Sequence, residues 1–233
     1  MKTHLRLLAV LSLAAALNSA SAGDVTGTVS LKGTPPPEKD IPMTPECGAL
    51  HKGPVKTRFY AVENGKLADV VVVIKGVKSP ATAPTKTVEI DQIGCEYEPY
   101  VAAVQVGQTI DVKNSDPFMH NVHTLPTVPG NKEANKAQMA KSPDLKFTFD
   151  KPEMFLKFKC DVHPWMFSYV SVFDHPYFAV TGKDGTFKIP NVPAGKYTIE
   201  AYHRKAAPVG SPVTQEIEVK EQPVTADFTL EVK

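Results

Sequence analysis

Lys159-Cys160-Asp161-Val162-His163-Pro164-Trp165-Met166 sets a thiol, an imidazole and a thioether at three-residue intervals, directly after the alternating run Met154-Phe155-Leu156-Lys157-Phe158. A strand of that pattern ending in such a loop can turn all three side chains toward one point. Thiolate and thioether select copper(I), imidazole accepts either copper oxidation state, and two His, one Cys and a weak axial Met form an electron-transfer copper site. The set needs a further histidine from a neighbouring strand. Val112-Lys113-Asn114-Ser115-Asp116-Pro117-Phe118-Met119-His120-Asn121-Val122-His123 supplies it. Zinc is disfavoured because its protein ligands are Cys, His and carboxylates rather than Met. A binuclear copper centre needs a second cysteine in the loop, and residues 161–166 contain none.

Gly107-Gln108-Thr109-Ile110-Asp111-Val112, then Asn114 and His120-Asn121-Val122, then Cys160, His163 and Met166, together resemble the cupredoxins. The short Cys-to-His-to-Met spacing looks most like amicyanin; plastocyanin and pseudoazurin carry a longer gap before the Met. The resemblance covers residues 85–175. It implies a Greek-key β-sandwich in which His120, Cys160 and His163 are equatorial ligands of a type 1 (blue) copper ion and Met166 is the axial one. His123 departs from the family pattern. It reads as an outer-sphere residue, with a role as an additional ligand left open.

With 233 residues and 42% hydrophobic content the chain is long enough for one or two packed domains. A net charge of +1 argues against nucleic acid as a partner, which needs concentrated basic charge. Lys132, Lys136, Lys141, Lys146, Lys151, Lys157 and Lys159 do crowd one segment, either steering an acidic partner or simply solvated. The N-terminus reads as a secretory signal over residues 1–22: Lys2, His4 and Arg6, an apolar stretch over 7–17, and Ala20-Ser21-Ala22 as the cleavage site. The apolar stretch is too short to span a bilayer. The expected location is a bacterial periplasm, with the mature chain beginning at Gly23. In that oxidising compartment Cys47 and Cys95 are left to form a disulfide once Cys160 is assigned to the metal. A second metal site built from Cys47, His51 and Cys95 is the competing reading.

From Gly23 onward the pattern is β throughout, with short alternating runs punctuated by 21 prolines, so the fold class is all-β. Glu63-Asn64-Gly65-Lys66 predicts a tight hairpin. Val70-Val71-Val72-Val73-Ile74 predicts a strand buried on both faces, residues 126–144 an irregular excursion, and Phe178 to Ile189 a hairpin across Asp184-Gly185. Thr181, Asp184-Gly185, Phe187 and Val192-Pro193-Ala194-Gly195 with Tyr197 are similar to the carboxypeptidase regulatory-like (transthyretin-like, prealbumin-like) β-sandwich. Such a module opens with a Gly-x-Val strand and a Val-rich strand, here Gly27-Thr28-Val29 and Val70 to Ile74. The resemblance implies a copper domain over 85–175 inserted between the two parts, 24–77 and 177–233, of a smaller sandwich; a linear tandem of two β domains is the alternative.

Asn121 is a candidate brace between the ligand loops, and Pro164, Trp165 and Phe167 a candidate apolar docking patch or a shield against water. His175 reads as a satisfied junction histidine, and His51 and His203 as surface or loop residues. No paired carboxylate, nucleophile motif or phosphate loop is present, so no enzyme is expected. The resulting expectation is a single-electron carrier between periplasmic redox proteins such as a c-type cytochrome or an oxidoreductase. A copper carrier or sequestration protein and a non-redox interaction module are the alternatives.

Overall fold

A chain of short alternating runs can bury its apolar residues only by stacking sheets face to face. In the computed structural model, which describes residues 22–77, 82–207 and 210–233, it does so twice. Residues 1–21 of the expected signal segment and part of the 78–84 break lie outside the described residues. The opening part contains β1 (Ala22–Lys32), a helical turn α1 (Pro45–Gly48), β2 (Val62–Glu63), β3 (Lys66–Leu67) and β4 (Val71–Lys75). The middle part runs through β5 (Val88–Ile93), β6 (Glu96–Glu98), β7 (Val101–Gln105), β8 (Ile110–Asn114), β9 (His120–Leu125), β10 (Ala134–Gln138), β11 (Leu145–Phe147), β12 (Glu153–Lys159) and β13 (Phe167–Phe173). The closing part adds β14 (Phe178–Val180), β15 (Thr186–Pro193), β16 (Gly195–Tyr202), β17 (Val213–Val219), β18 (Val224–Thr225) and β19 (Phe228–Glu231).

The middle strands form two sheets, ordered β10-β9-β12-β13-β7 and β11-β8-β5-β6. Ile90, Tyr97, Val112, Val122, Leu156 and Phe158 fill the core between them. The opening and closing strands interleave in two further sheets. In one, β1 pairs with β15, β3, β18 and β19; in the other the order is β14-β4-β16-β17. Val25, Val29, Val72, Ile74, Ile189 and Ile199 share their core, so residues from both ends of the chain close one sandwich.

β4 lies between the two units. Val72 and Ile74 face the smaller sandwich, while Val71 and Val73 pack with Tyr100, Tyr169 and Phe173 of the larger one, which is why the run has no polar alternation. At the same interface the Arg204 guanidinium sits 3.2 Å over the Tyr169 ring and donates to Tyr100 Oη at 2.8 Å. β12 contributes through a bulge between Glu153 and Leu156, where Phe155 takes φ 53° and joins the same interfacial cluster.

Three local expectations need correcting. Residues 134–138 are a strand, because β9 offers an open edge and Ala134–Gln138 pairs along it. Phe178 to Ile189 is not a hairpin: β14 pairs with β4 and β15 with β1, so the Asp184-Gly185 turn carries the chain from one sheet to the other. Gly185, at φ +70°, has no room for a side chain, since a Cβ would lie 2.7 Å from Val29 O. The Asn64-Gly65 hairpin forms as read, with both residues at positive φ. His203 is not a surface residue. It is 5% exposed, lies against Tyr60, and accepts through Nδ1 from the backbone N–H of Lys205 (3.2 Å) and Ala206 (2.9 Å).

Burial, reinforced by Arg204, depresses the His203 pKa from 6.5 to about 4. The ring therefore stays neutral in the folded chain while the unfolded chain takes up a proton. Stability contributed by the neutral ring is complete above about pH 6.5 and lost as pH falls toward about 4, roughly 3 kcal/mol in all. His203→Asn keeps an acceptor for both N–H groups but cannot titrate. Urea unfolding at neutral pH and near pH 4.5 should show a shallower loss of stability for this variant than for the wild type; equal losses would refute the assignment.

Candidate metal centre

The two stretches singled out in the sequence end on adjacent strands. β9 pairs antiparallel with β12, setting His123 opposite Lys159, so His120 and the loop after β12 emerge at the same end of the sandwich. Backbone bonds shape that loop: Met166 N–H donates to His163 O (2.9 Å) and Cys160 N–H to Met166 O (3.1 Å). Cys160, His163 and Met166 are thereby drawn into one turn.

His120 Nδ1 lies 3.0 Å from His163 Nδ1, and Cys160 Sγ lies 4.0 Å and 3.7 Å from these two nitrogens. A single ion holding imidazole nitrogen at about 2.0–2.1 Å and thiolate at about 2.3 Å spans edges of this size. All three residues are buried, and Cys160 is the free cysteine, so a thiol and two imidazole lone pairs converge where water is largely excluded. Met166 is 1% exposed and packs in the same cluster as Cys160. The donor set fits a soft, one-electron metal such as copper better than any other common ion.

Residues that the sequence reading passed over hold these donors in place. Asp116, 3% exposed, accepts from Gly94 N–H (2.6 Å) and Cys95 N–H (2.8 Å), and receives the His120 Nε2 proton at 2.8 Å. That bond leaves His120 Nδ1 as the lone pair directed at the centre, the arrangement by which metal-ligating histidines are oriented. Burial alone raises the Asp116 pKa, but His120 and the two N–H groups outweigh it and hold the carboxyl ionised. Burial works against a charged His120 ring too, and Asp116 and Cys160 reverse the effect, raising its pKa. His163 is shifted down by burial and by its neighbour His120, so it stays a neutral donor. For Cys160, burial favours the thiol, but His120 and backbone contacts at Asn121, His163 and Val162 lower its pKa on balance toward the thiolate.

Asn121 braces the two loops. Its Oδ1 accepts from Asp161 N–H at 2.7 Å and lies 3.3 Å from Cys160 Sγ, and its Nδ2 donates to Asn135 Oδ1 (2.7 Å) and Asp161 Oδ2 (3.1 Å). Tyr97 is a second brace that no local signal marked: its buried hydroxyl donates to Asn121 O (2.9 Å) and lies 3.3 Å from Lys159 O. Asp116 did carry a signal, a carboxylate four residues before His120 within the same quoted stretch.

His123 does not join the cluster. It points away from His120 and is held by Asp161 Oδ2 at 2.9 Å and Glu133 Oε1 at 2.7 Å. Cys47 and Cys95 are joined by a disulfide, so they supply no donors to a second metal site, and His51 bonds Gly94 O at 2.8 Å. Trp165 packs on the His163 ring with centroids 5.3 Å apart and donates from Nε1 to Cys95 O at 3.0 Å. It shields one side of the site, while Phe118 covers another, edge-on to His120. His175 is buried and accepts from Tyr177 N–H. Of the clustered lysines, Lys159 pairs with Asp161, Lys146 with Asp111, and Lys136 and Lys157 lie over the Phe147 and Phe167 rings, so that segment is partly self-compensated.

No protein-family model matches the chain, and no curated protein matches it. Among solved structures it is similar to a copper-containing nitrite reductase from Thermus scotoductus (23% identity over 42% of this chain and 25% of that one, TM-score 0.35). It is also similar to a Cu(I) form of an amicyanin variant (23% identity, 43% of this chain and 97% of that one, TM-score 0.34). A purple cupredoxin from Nitrosopumilus maritimus is similar as well (21% identity, 36% of this chain and 98% of that one, TM-score 0.31). The chain thus spans about a quarter of the length of the nitrite reductase. These are likenesses over less than half of the chain.

Asp116→Asn removes the charge that orients His120 and keeps the site's shape. Its expected effect is a loss of about 10–100-fold in copper affinity, the usual cost of removing such a partner. Competition titration of wild type and variant against a chromophoric copper(I) chelator measures it; unchanged affinity would show that His120 needs no such support.

Proposed function

We propose that this chain is an exported copper protein that carries single electrons between periplasmic redox partners. The observation that carries the reading is the buried triad of Cys160 Sγ, His120 Nδ1 and His163 Nδ1 within 3.0–4.0 Å of one another, with the remaining His120 nitrogen turned to Asp116. Copper bound there supplies a one-electron couple. His120, Cys160 and His163 are the proposed equatorial ligands and Met166 the axial one.

The protein's own part is rigidity and exclusion of water. Every ligand that moves between oxidation states adds to the barrier for electron transfer, so supported donors favour rapid exchange. Asp116 and Trp165 hold the two imidazoles, Asn121 and Tyr97 hold the strands that carry them, and the Met166 backbone closes the loop. The chain is proposed to carry electrons rather than to act as an enzyme. The proposed partners are a c-type cytochrome or a periplasmic oxidoreductase.

Export is proposed from the N-terminal signal pattern, and the Cys47–Cys95 disulfide agrees with an oxidising compartment. No described helix is long and apolar enough to cross a membrane. The smaller sandwich is proposed to be a regulatory-like module that supports or docks the copper domain. The copper-carrier reading relied on His123 as a spare ligand in an open site; the His123 ring engaged by Asp161 and Glu133 and the burial of the triad favour the electron carrier instead.

The test is to load the mature chain with copper(II) and record visible and electron paramagnetic resonance spectra, with Cys160→Ser beside it. The expected result is an intense thiolate-to-copper charge-transfer band that bleaches reversibly on reduction and is missing from the variant. A weak, ordinary copper(II) spectrum would favour carriage through the histidines, and failure to retain copper would overturn the reading.

A further inference from the structure

The segment between β1 and β2 crosses the larger sandwich as a strap, with Cys47 buried in that sandwich's core and Met43 packed against it. The Cys47–Cys95 disulfide fastens it at one point. Arg58 fastens it at another, through ion pairs with Glu96 (3.4 Å) and Glu98 and a bond to Tyr97 O (2.9 Å). Between the strap and the metal loop lies a cavity of about 330 Å³ whose walls include the rings of Phe59, Tyr97, Tyr100, Trp165 and Phe167. The side chain of Met166 also lines it.

This cavity is preformed. Trp165 is fixed by its bond to Cys95 O, Tyr97 by its buried hydroxyl, and Tyr100 by Arg204 and Arg58. Its size is about twice that of an engineered cavity of about 150 Å³ that takes up one benzene molecule. An aromatic lining with a few polar groups is the usual character of a small-molecule site. At the rim, Lys39 and Lys56 are exposed and have no ion-pair partner among the described residues, against one acidic rim residue, Asp40. The Glu96 carboxylate is already drawn to Arg58. Ring faces can also attract cations, but the Arg58 guanidinium already lies 5.1 Å from the Tyr100 ring centroid, and the two free ammonium groups oppose a second cation.

We infer that this cavity is a binding site for a small planar aromatic carboxylate of one or two rings, its rings between Trp165, Tyr100 and Phe59 and its carboxylate toward Lys39 and Lys56. The cavity adjoins the metal end through Met166 and Trp165 but takes none of His120, Cys160 or His163 into its lining, and a ligand there goes beyond electron carriage.

The chain contains one tryptophan, so the Trp165 indole N–H gives a single resonance that reports on the cavity wall. The mature chain, without added metal so that the outcome is independent of copper binding, is titrated with 2-naphthoate and followed by nitrogen–proton correlation spectra. The neutral 2-naphthalenemethanol and the cationic 2-naphthylmethylammonium serve as comparators. A saturable Trp165 shift is expected with 2-naphthoate, with weaker binding of both comparators. In the surface double variant Lys39→Glu/Lys56→Glu, affinity for 2-naphthoate should fall roughly tenfold or more. A linear, unsaturable shift, equal or tighter binding of either comparator, or an unchanged affinity in the double variant would each overturn the proposal.

Discussion

The buried carboxylate of Asp116 is the constraint on which the metal end of the molecule depends. A carboxylate removed from water is costly unless donors surround it, and here Gly94 N–H, Cys95 N–H and His120 Nε2 do so. Each donor belongs to a different structural task. Cys95 is half of the disulfide that holds the strap, Gly94 forms the β5–β6 turn, and His120 begins β9 and faces Cys160 and His163. One charge therefore couples the position of the strap, the turn and the imidazole.

The same logic runs through the donors themselves. A buried thiol ordinarily resists ionisation, yet neighbouring His120 and the loop backbone tip Cys160 toward the thiolate, the form a metal requires. The loop is stiff because its polar groups are engaged internally, by Met166 and His163 in the backbone and by Asn121 from the facing strand. Tyr97 reaches from β6, in the opposite sheet, to the two strands that carry His120 and Cys160. The sandwich thus holds the metal end from both of its layers.

The smaller sandwich is locked to the larger one rather than tethered to it. β4 is apolar on both sides because it serves two cores, and Phe155, in the β12 bulge, packs its ring into the same interfacial cluster. Arg204 then covers two tyrosine rings whose faces would otherwise meet water. The strap adds a further tie, with Tyr60 Oη donating to Lys205 O at 2.8 Å. An arrangement of this kind keeps the cavity walls and the metal loop in fixed relation.

What the sequence alone determined is what depends on neighbours along the chain. Period-two runs marked most strands, the Asn64-Gly65 pair marked its hairpin, and the three-residue spacing of Cys160, His163 and Met166 marked a donor loop, because each of these is a property of a few consecutive residues. What the tertiary structure decided is what depends on partners far apart in sequence. Ala134–Gln138 has a weak pattern and becomes a strand only because β9 is open beside it. The turn at Asp184-Gly185 has hairpin chemistry, yet its flanking strands join different sheets because β4 and β1 compete for them. Cys47 and Cys95 close a disulfide rather than a metal site because the strap brings their sulfurs together. His123 is held away from His120 by Asp161 and Glu133, which come from other segments of the chain. Tyr97 and Arg204 stayed illegible for the same physical reason: their roles are set by long-range pairing between sheets, on which local sequence places no constraint, whereas Asp116 stands four residues before His120 and was within reach of a local reading.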